Sequence, residues 1–208
     1  MAILVEKFGQ VDIYLFDQLL RGRIQPGMRI LDAGCGAGRN LTYLLRRAKD
    51  ERYEIFGADS DPQAIAAVRH LSEALAPDLP ASNFRLEAID KMSFPDVFAD
   101  VVLSSAVLHF ASDDAHFEAM LRGMWRVLKP GGLLFCRLAS SIGMERQIKP
   151  IAGRRCVLPD GSERYLVDAA LLTEWTEQLG AQLADPIKTT VVHNQRSMTT
   201  WVVRKKAQ

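Results

Sequence analysis

The spacing of apolar residues changes several times along this 208-residue chain, and each change marks an element. Val5, Phe8, Ile13, Leu15, Phe16, Leu19 and Leu20 recur at helical intervals, so residues 3–20 read as one or two helical segments with Gly9 as a break. "MRILDAG" then forms a short, almost wholly apolar run, the pattern of a strand buried on both faces of a parallel sheet. "GRNLTYLLRRAK" returns to helical spacing through Leu41, Leu44 and Leu45, and "YEIFGAD" is a second strand. In "DPQAIAAVRHLSEAL", Asp61 is placed to cap a helix and Pro62 to occupy its first position, where a missing N–H costs nothing. "NFRLEA" and "ADVVLSS" are strands three and four. The helix "DAHFEAMLRGMWRVL" is predicted to stop at "KPGG", where the glycines turn the chain into a fifth strand, "LLFCRL".

Strands alternating with helices of this length predict βαβ units, hence an α/β fold with a parallel sheet and helices on both faces. The alternation fails after Leu138. Residues 139–167 are polar, basic and irregular, with a hairpin expected around Asp160-Gly161. Asp168 is set to cap a last helix, "AALLTEWTEQLG", and the tail offers two β-branched strands turning at Asn194-Gln195. No linker divides the chain, so 1–208 reads as one domain, with 1–27 as a helical cap and 139–167 as a lid-like insertion after strand five.

Composition narrows the possible partners. Apolar residues make up 48% and charged residues 25%, and the formal net charge is +1. A nucleic-acid binder would carry a basic excess, so no nucleic-acid partner is expected. No run approaches the ~20 apolar residues of a membrane span. "MAILVEKFGQ" is too short in its apolar part for a secretory signal, and Cys35, Cys136 and Cys156 match neither a disulfide framework nor a zinc site. A cytoplasmic protein without metal is expected. The oligomeric state is not readable at this level.

The glycine-rich turn "ILDAGCGAGRN" sits where the first strand meets the first helix. In an open α/β sheet that is where ligands bind, since glycine lets them reach the backbone and the helix start offers free N–H groups. A P-loop needs Gly-Lys-Ser/Thr, which does not occur. The dinucleotide pattern GxGxxG fails in both registers, at Arg39 and at Leu41, which weighs against a nicotinamide dehydrogenase. What stands here is Asp32-x-Gly34-x-Gly36-x-Gly38.

This turn resembles motif I of the class I S-adenosylmethionine-dependent methyltransferases. "GADSDP", "FPDVFADVVLSSAVLHF" and "WRVLKPGG" are similar to that family's later motifs, in order and spacing, from about Met28 to Leu138. Small-molecule enzymes of the ubiquinone/menaquinone and tellurite-resistance kinds have this layout. The resemblance implies a Rossmann-like, doubly wound seven-stranded sheet, mostly parallel with an antiparallel C-terminal strand. It implies S-adenosylmethionine as cofactor and S-adenosylhomocysteine as product. The implied cofactor residues are Asp32, Gly34, Cys35, Gly36 and Gly38 in the turn, with Asp59 and Ser60 at the ribose and Ser104 after strand four. Ala88 stands where the family often has an acidic residue for adenine, leaving Asp90 and the backbone N–H of Ile89 as candidates. Phe8 and Tyr14 of the N-terminal helix either cover the cofactor or only pack that helix down.

A general base is needed only if the acceptor must lose a proton, and His109 after strand four is the catalytic candidate. His70 and His116 read as surface positions, His193 as structural, and Asp113 and Asp114 as helix caps. Cys35 reads as a small residue filling a tight turn rather than a reactive thiol. Arg146, Lys149, Arg154 and Arg155 make the insertion basic, and a solvated surface is preferred there over an anion receiver. Methyl transfer to a small molecule is the leading function. A methyltransferase for proteins, and a cofactor-binding module without catalysis, are the alternatives.

Overall fold

The structure is a computed structural model that describes residues 6–207. Residues 6–8 are helical, Gly9 breaks the chain at φ +65°, and helix α1 spans Ile13–Leu20, capped by the Asp12 carboxylate on the Tyr14 amide at 2.9 Å. The part of the expected first segment at residues 3–5 lies outside the described residues.

Strands β1 (Arg29–Ala33), β2 (Glu54–Asp59), β3 (Phe84–Leu86), β4 (Ala99–Ser105) and β5 (Leu128–Ala139) alternate with helices α2 (Thr42–Glu51), α3 (Pro62–Leu75) and α4 (Asp114–Val127). These strands pair in parallel in the order β5-β4-β1-β2-β3. Successive strand residues face opposite sides. Leu31, Val102 and Leu134 join one buried cluster with α4, while Ile30, Val101 and Leu133 join the other with α1, α2 and α3. This two-sided burial is why the strands read as unbroken apolar runs.

Downstream come β6 (Lys149–Ala152), β7 (Arg155–Val157), β8 (Glu163–Tyr165), α5 (Ala169–Gln178), β9 (Ala181–Leu183), β10 (Lys188–Val192) and β11 (Arg196–Lys205). The last strand, β11, runs antiparallel to β5 and to β10, as the tail pattern implied. The sheet has eight strands rather than seven. The sixth is split: β9 and β10 lie on the same edge of β11, separated by "ADPI". Pro186 cannot donate to the ladder, and Asp185 leaves it to accept from Gln18 at 3.0 Å and Arg23 at 2.7 Å, which ties α1 to the sheet.

A second difference is at "KPGG". Helix α4 ends at Val127, but β5 starts at once, and the glycines form an irregularity inside the strand, with Gly131 at φ +77° and a register shift opposite Ala99–Val101. The insertion is an ordered three-stranded antiparallel sheet, β6-β7-β8, including the expected turn at Asp160-Gly161. Tyr165 docks it on α4, stacked on Phe117 at 4.8 Å and donating to Asp114 at 2.8 Å.

Candidate functional site

The glycine turn hangs from β2, since the amides of Gly34 and Cys35 both donate to the Ala58 carbonyl, at 2.8 and 3.0 Å. All three motif glycines have positive φ, but for different reasons. A Cβ on Gly34 would run into the Val107 side chain, and one on Gly38 would come within 2.9 Å of Leu71 and Val68. A Cβ on Gly36 would meet nothing within 4 Å. That position faces open space that a ligand can fill. Asp59 braces the turn: its Oδ2 accepts from the Gly36 amide at 2.8 Å and its Oδ1 from the Asp61 amide at 3.0 Å. Each oxygen keeps a second lone pair for a ligand hydroxyl.

Gly34, Asp59, Ser60, Ile89 and Asp90 line one cleft of about 560 Å³, with Val107, Phe110 and Met120 also in its wall. His116, expected on the surface, lines this cleft too, with its Nδ1 accepting from the Ser112 amide at 3.2 Å. Cys35 turns inward over Gly57, and burial pushes its thiol far up from the ordinary value, so no thiolate is available. Phe8 and Tyr14 do not line the cleft. Phe8 stacks on Tyr43 at 5.3 Å, and the Tyr14 hydroxyl pairs with Thr190 Oγ1 at 2.7 Å.

Asp32 and Ser104 lie behind the turn, at the ends of β1 and β4. Both are buried, and neither side chain has a hydrogen-bond partner among the described residues. Burial pushes the Asp32 carboxyl up to about 8, with Arg39 pulling it down and Asp59 pushing it further up. A buried carboxylate without a partner is costly, and a donor or cation brought by a ligand would relieve it. With the open space at Gly36, this chemistry fits a cofactor carrying an ammonium group.

A second cleft of about 310 Å³ adjoins the first, sharing Ala106 and Phe110 as walls. Ala106 holds φ +65°, a left-handed conformation that costs a residue with a Cβ roughly 1–2 kcal/mol, and its amide donates to the Arg137 carbonyl at 2.7 Å. The insertion contributes Leu158, Asp160, Ser162 and Arg164, and the terminal hairpin Val192, Arg196 and Met198. His109 lines this cleft. Its Nδ1 accepts from the Ala139 amide at 3.2 Å, which assigns the neutral ring its proton on Nε2. Burial, with Arg164 as the lesser cause, lowers the ring to about 4, so the neutral form prevails.

The basic residues singled out in the insertion do not converge here. Arg154 pairs with Asp168 at 2.8 Å and Arg155 with Glu163 at 2.6 Å, while Arg146 and Lys149 stay on the outer surface. The cleft takes Arg39, Arg137, Arg164 and Arg196 instead. One of these had a local signal. Arg137 is the only charged residue in the buried run Leu133–Ala139, next to the carboxyl end of the sheet. Among the described residues, no group of three or more His, Cys, Asp or Glu side chains could hold a metal ion, and no helix is long and apolar enough to cross a membrane.

A family model described as a methyltransferase domain matches residues 31–136, half of the chain. The chain is 31% identical over 120 residues to a malonyl-[acyl-carrier protein] O-methyltransferase of Serratia marcescens, covering 57% of this chain and 42% of that protein. It is 30% identical over 174 residues to a ubiquinone/menaquinone biosynthesis C-methyltransferase of Ectopseudomonas mendocina, covering 78% and 65%. The match spans less than half the length of the first curated relatives. Among solved structures, a [4+2]-cyclase, SpnF, superposes with a TM-score of 0.72 at 19% identity, over 94% of this chain and 82% of that one. That likeness concerns the fold alone.

Proposed function

The chain belongs to the class I S-adenosylmethionine-dependent methyltransferase family, and from that premise we propose that it transfers a methyl group to a small-molecule acceptor held in the second cleft. The observation that carries this reading is the meeting of two clefts at Ala106 and Phe110, one at the glycine turn and one roofed by the insertion. A module that only binds cofactor would need no second cleft beside the first.

Bound S-adenosylmethionine supplies a methyl group already activated on a sulfonium. The chain itself has to hold, orient and exclude water, and positioning alone can lower a barrier by roughly 7–11 kcal/mol. In this reading Gly34 and Gly36 let the cofactor approach the main chain, Asp32 and Ser104 supply polar groups behind the turn, and Asp59 and Ser60 hold the ribose. The adenine lies against Ile89 and Asp90, beside Ala88 and Met120. His109, with its proton on Nε2 and its Nδ1 occupied, serves as a hydrogen-bond donor that orients the acceptor rather than as a base. We place the protein in the cytoplasm, in keeping with three buried free cysteines.

The test is calorimetry with S-adenosylhomocysteine on the wild type and on Asp59→Ala, followed by a screen of small molecules for methyl uptake. Losing one charge-assisted hydrogen bond from Asp59 costs roughly 1.5–3 kcal/mol, so the variant should bind at least about one to two decades more weakly. A loss below about threefold, or no binding to the wild type, would remove the cofactor assignment.

A further inference from the structure

The second cleft carries more positive charge than its neighbours compensate. Arg39 comes from the glycine turn, Arg137 from β5, Arg164 from β8 and Arg196 from β11, so four separate segments bring guanidinium groups to one cleft of about 310 Å³. Asp12 pairs with Arg137 at 3.0 Å, but no carboxylate lies within 4.0 Å of the Arg39, Arg164 or Arg196 guanidinium among the described residues. Asp160 is the one acidic residue in the wall, and its Oδ1 is occupied by the Ser162 amide at 3.0 Å and hydroxyl at 2.6 Å. The surplus is local, since Arg154 and Arg155 of the same insertion are both ion-paired.

Two of the arginines are also held in place. Arg137 is fixed by Asp12 and lies over the Tyr14 ring at 5.7 Å, and its Nε is buried with no partner among the described residues. Arg164 lies 4.8 Å from the centroid of Phe110, on the wall that the two clefts share. Titrating groups respond to the same field. Hydrogen bonds from Ser162 lower Asp160, and Arg164 and Arg196 add to that shift.

We infer that this cleft grips its acceptor through an oxyanion, a carboxylate or a phosphate, held by Arg164 and Arg196 with Arg39 and Arg137 behind them. That the molecule so held is the methyl acceptor rests on the function proposed above. Guanidinium groups match the planar oxygens of carboxylate and phosphate in bidentate fashion, and such pairs give orientation as well as affinity. The anion acts as a handle. It fixes one end of the acceptor against the insertion and hairpin, so the rest of the molecule extends toward Phe110 and the neighbouring cleft. The cleft's size and the chain's net charge of +1 favour a small acid over a nucleic-acid backbone.

The experiment uses the full chain saturated with S-adenosylhomocysteine. It is titrated calorimetrically with benzoate, with phenyl phosphate, and with benzamide as the neutral isostere. A site built for a charged group rejects the analogue that leaves it unpaired, so one of the two acids should bind at least about tenfold more tightly than benzamide. Which acid wins separates a carboxylate handle from a phosphate one. The double variant Arg164→Gln/Arg196→Gln should erase the preference while leaving S-adenosylhomocysteine affinity within about threefold, which also shows that the fold is intact. Equal binding of acid and amide, a preference that survives in the variant, or no acid binding at all would overturn the inference. So would a short single-stranded RNA that binds this face and is not displaced by either acid. If the acids bind as expected while S-adenosylhomocysteine does not bind, the anion site stands and the methyl-transfer reading fails.

Discussion

Asp32→Asn separates the cost of a buried charge from the shape of the site. Asp32 is fully enclosed, neither of its oxygens has a partner among the described residues, and burial moves its carboxyl from 3.8 to about 8. Between those values the folded, ligand-free protein keeps a proton that the unfolded chain has released. Stability from this group is therefore greatest at low pH, falls as pH rises through the window, and levels off above about 8. Each unit corresponds to about 1.4 kcal/mol, so the rise from pH 5 to pH 8 has a ceiling of about 4 kcal/mol. Relaxation and water entry soften a buried charge, which brings the expected effect to about 2–3 kcal/mol. Asparagine keeps the shape and cannot ionise. Urea unfolding of the ligand-free protein at both pH values should show the wild type losing about 2–3 kcal/mol more than Asp32→Asn. Parallel pH dependence in the two proteins would refute the reasoning. A second readout follows from the proposed cofactor. If an ammonium pairs with Asp32, binding must expel its proton, so titration of S-adenosylhomocysteine at pH 7 in buffers of different ionisation enthalpy should report proton release, and the variant should not.

The motif glycines predict two different failures. Both positions hold a positive φ, so any side chain there is strained, but Gly36→Ala puts its Cβ into open space and should lose S-adenosylhomocysteine binding with the smaller fall in melting temperature, whereas Gly34→Ala should lower it further through its collision with Val107; circular dichroism melts with calorimetry distinguish the two, and the reverse pattern would contradict the geometry. For His109, lowered to about 4 by burial and Arg164, the folded ring binds fewer protons than the unfolded one, so its stabilising contribution is present above 6.5 and fades as pH falls toward 4. Its ring signals should not titrate between pH 5.5 and 8, and a rate profile with a limb near 6.5 that vanishes in His109→Gln would show that it does act as a base.

Local rules explain what could be read from the chain. Asp61 and Asp168 cap their helices through bonds to Gln63 and Leu171, both at 2.8 Å, and Asp113 caps α4 through His116 at the same distance. Such contacts span two or three residues, so the residue order contains them. The turn at Asp160-Gly161 and the glycine turn after β1 are local in the same sense. The first half of the sixth strand, β9, carries no such local signal. The two halves are short, and only pairing with β11 makes them one ladder, interrupted where Asp185 reaches back to α1. At "KPGG" the glycines signalled an irregular backbone, but whether that ends a helix or bends a strand depends on the register with β4.

The two clefts differ in the same way. The first is built from consecutive strand ends of a parallel sheet, a place that topology assigns before any side chain is considered. Asp59 ends β2, and Gly34, Ser60, Ile89 and Asp90 each follow a strand by a few residues, so the strand pattern already gathers them. The second is assembled from positions 39, 137, 164 and 196, which share no motif and meet only once the insertion has docked on α4 and the hairpin has closed on β5. The insertion's charge was visible from composition, but its charged residues divide by strand. Arg155 spends its charge on Glu163 across the β7–β8 ladder, while Arg164, next to Glu163 on β8, turns to Phe110. Neighbours on a strand point to opposite faces, so one register step decides which arginine is neutralised and which faces the cleft. A carboxylate introduced opposite Arg164 or Arg196 would neutralise the handle without touching the glycine turn. Under the proposed function, acceptor choice can therefore change through the insertion and the hairpin while the cofactor half of the site stays as it is.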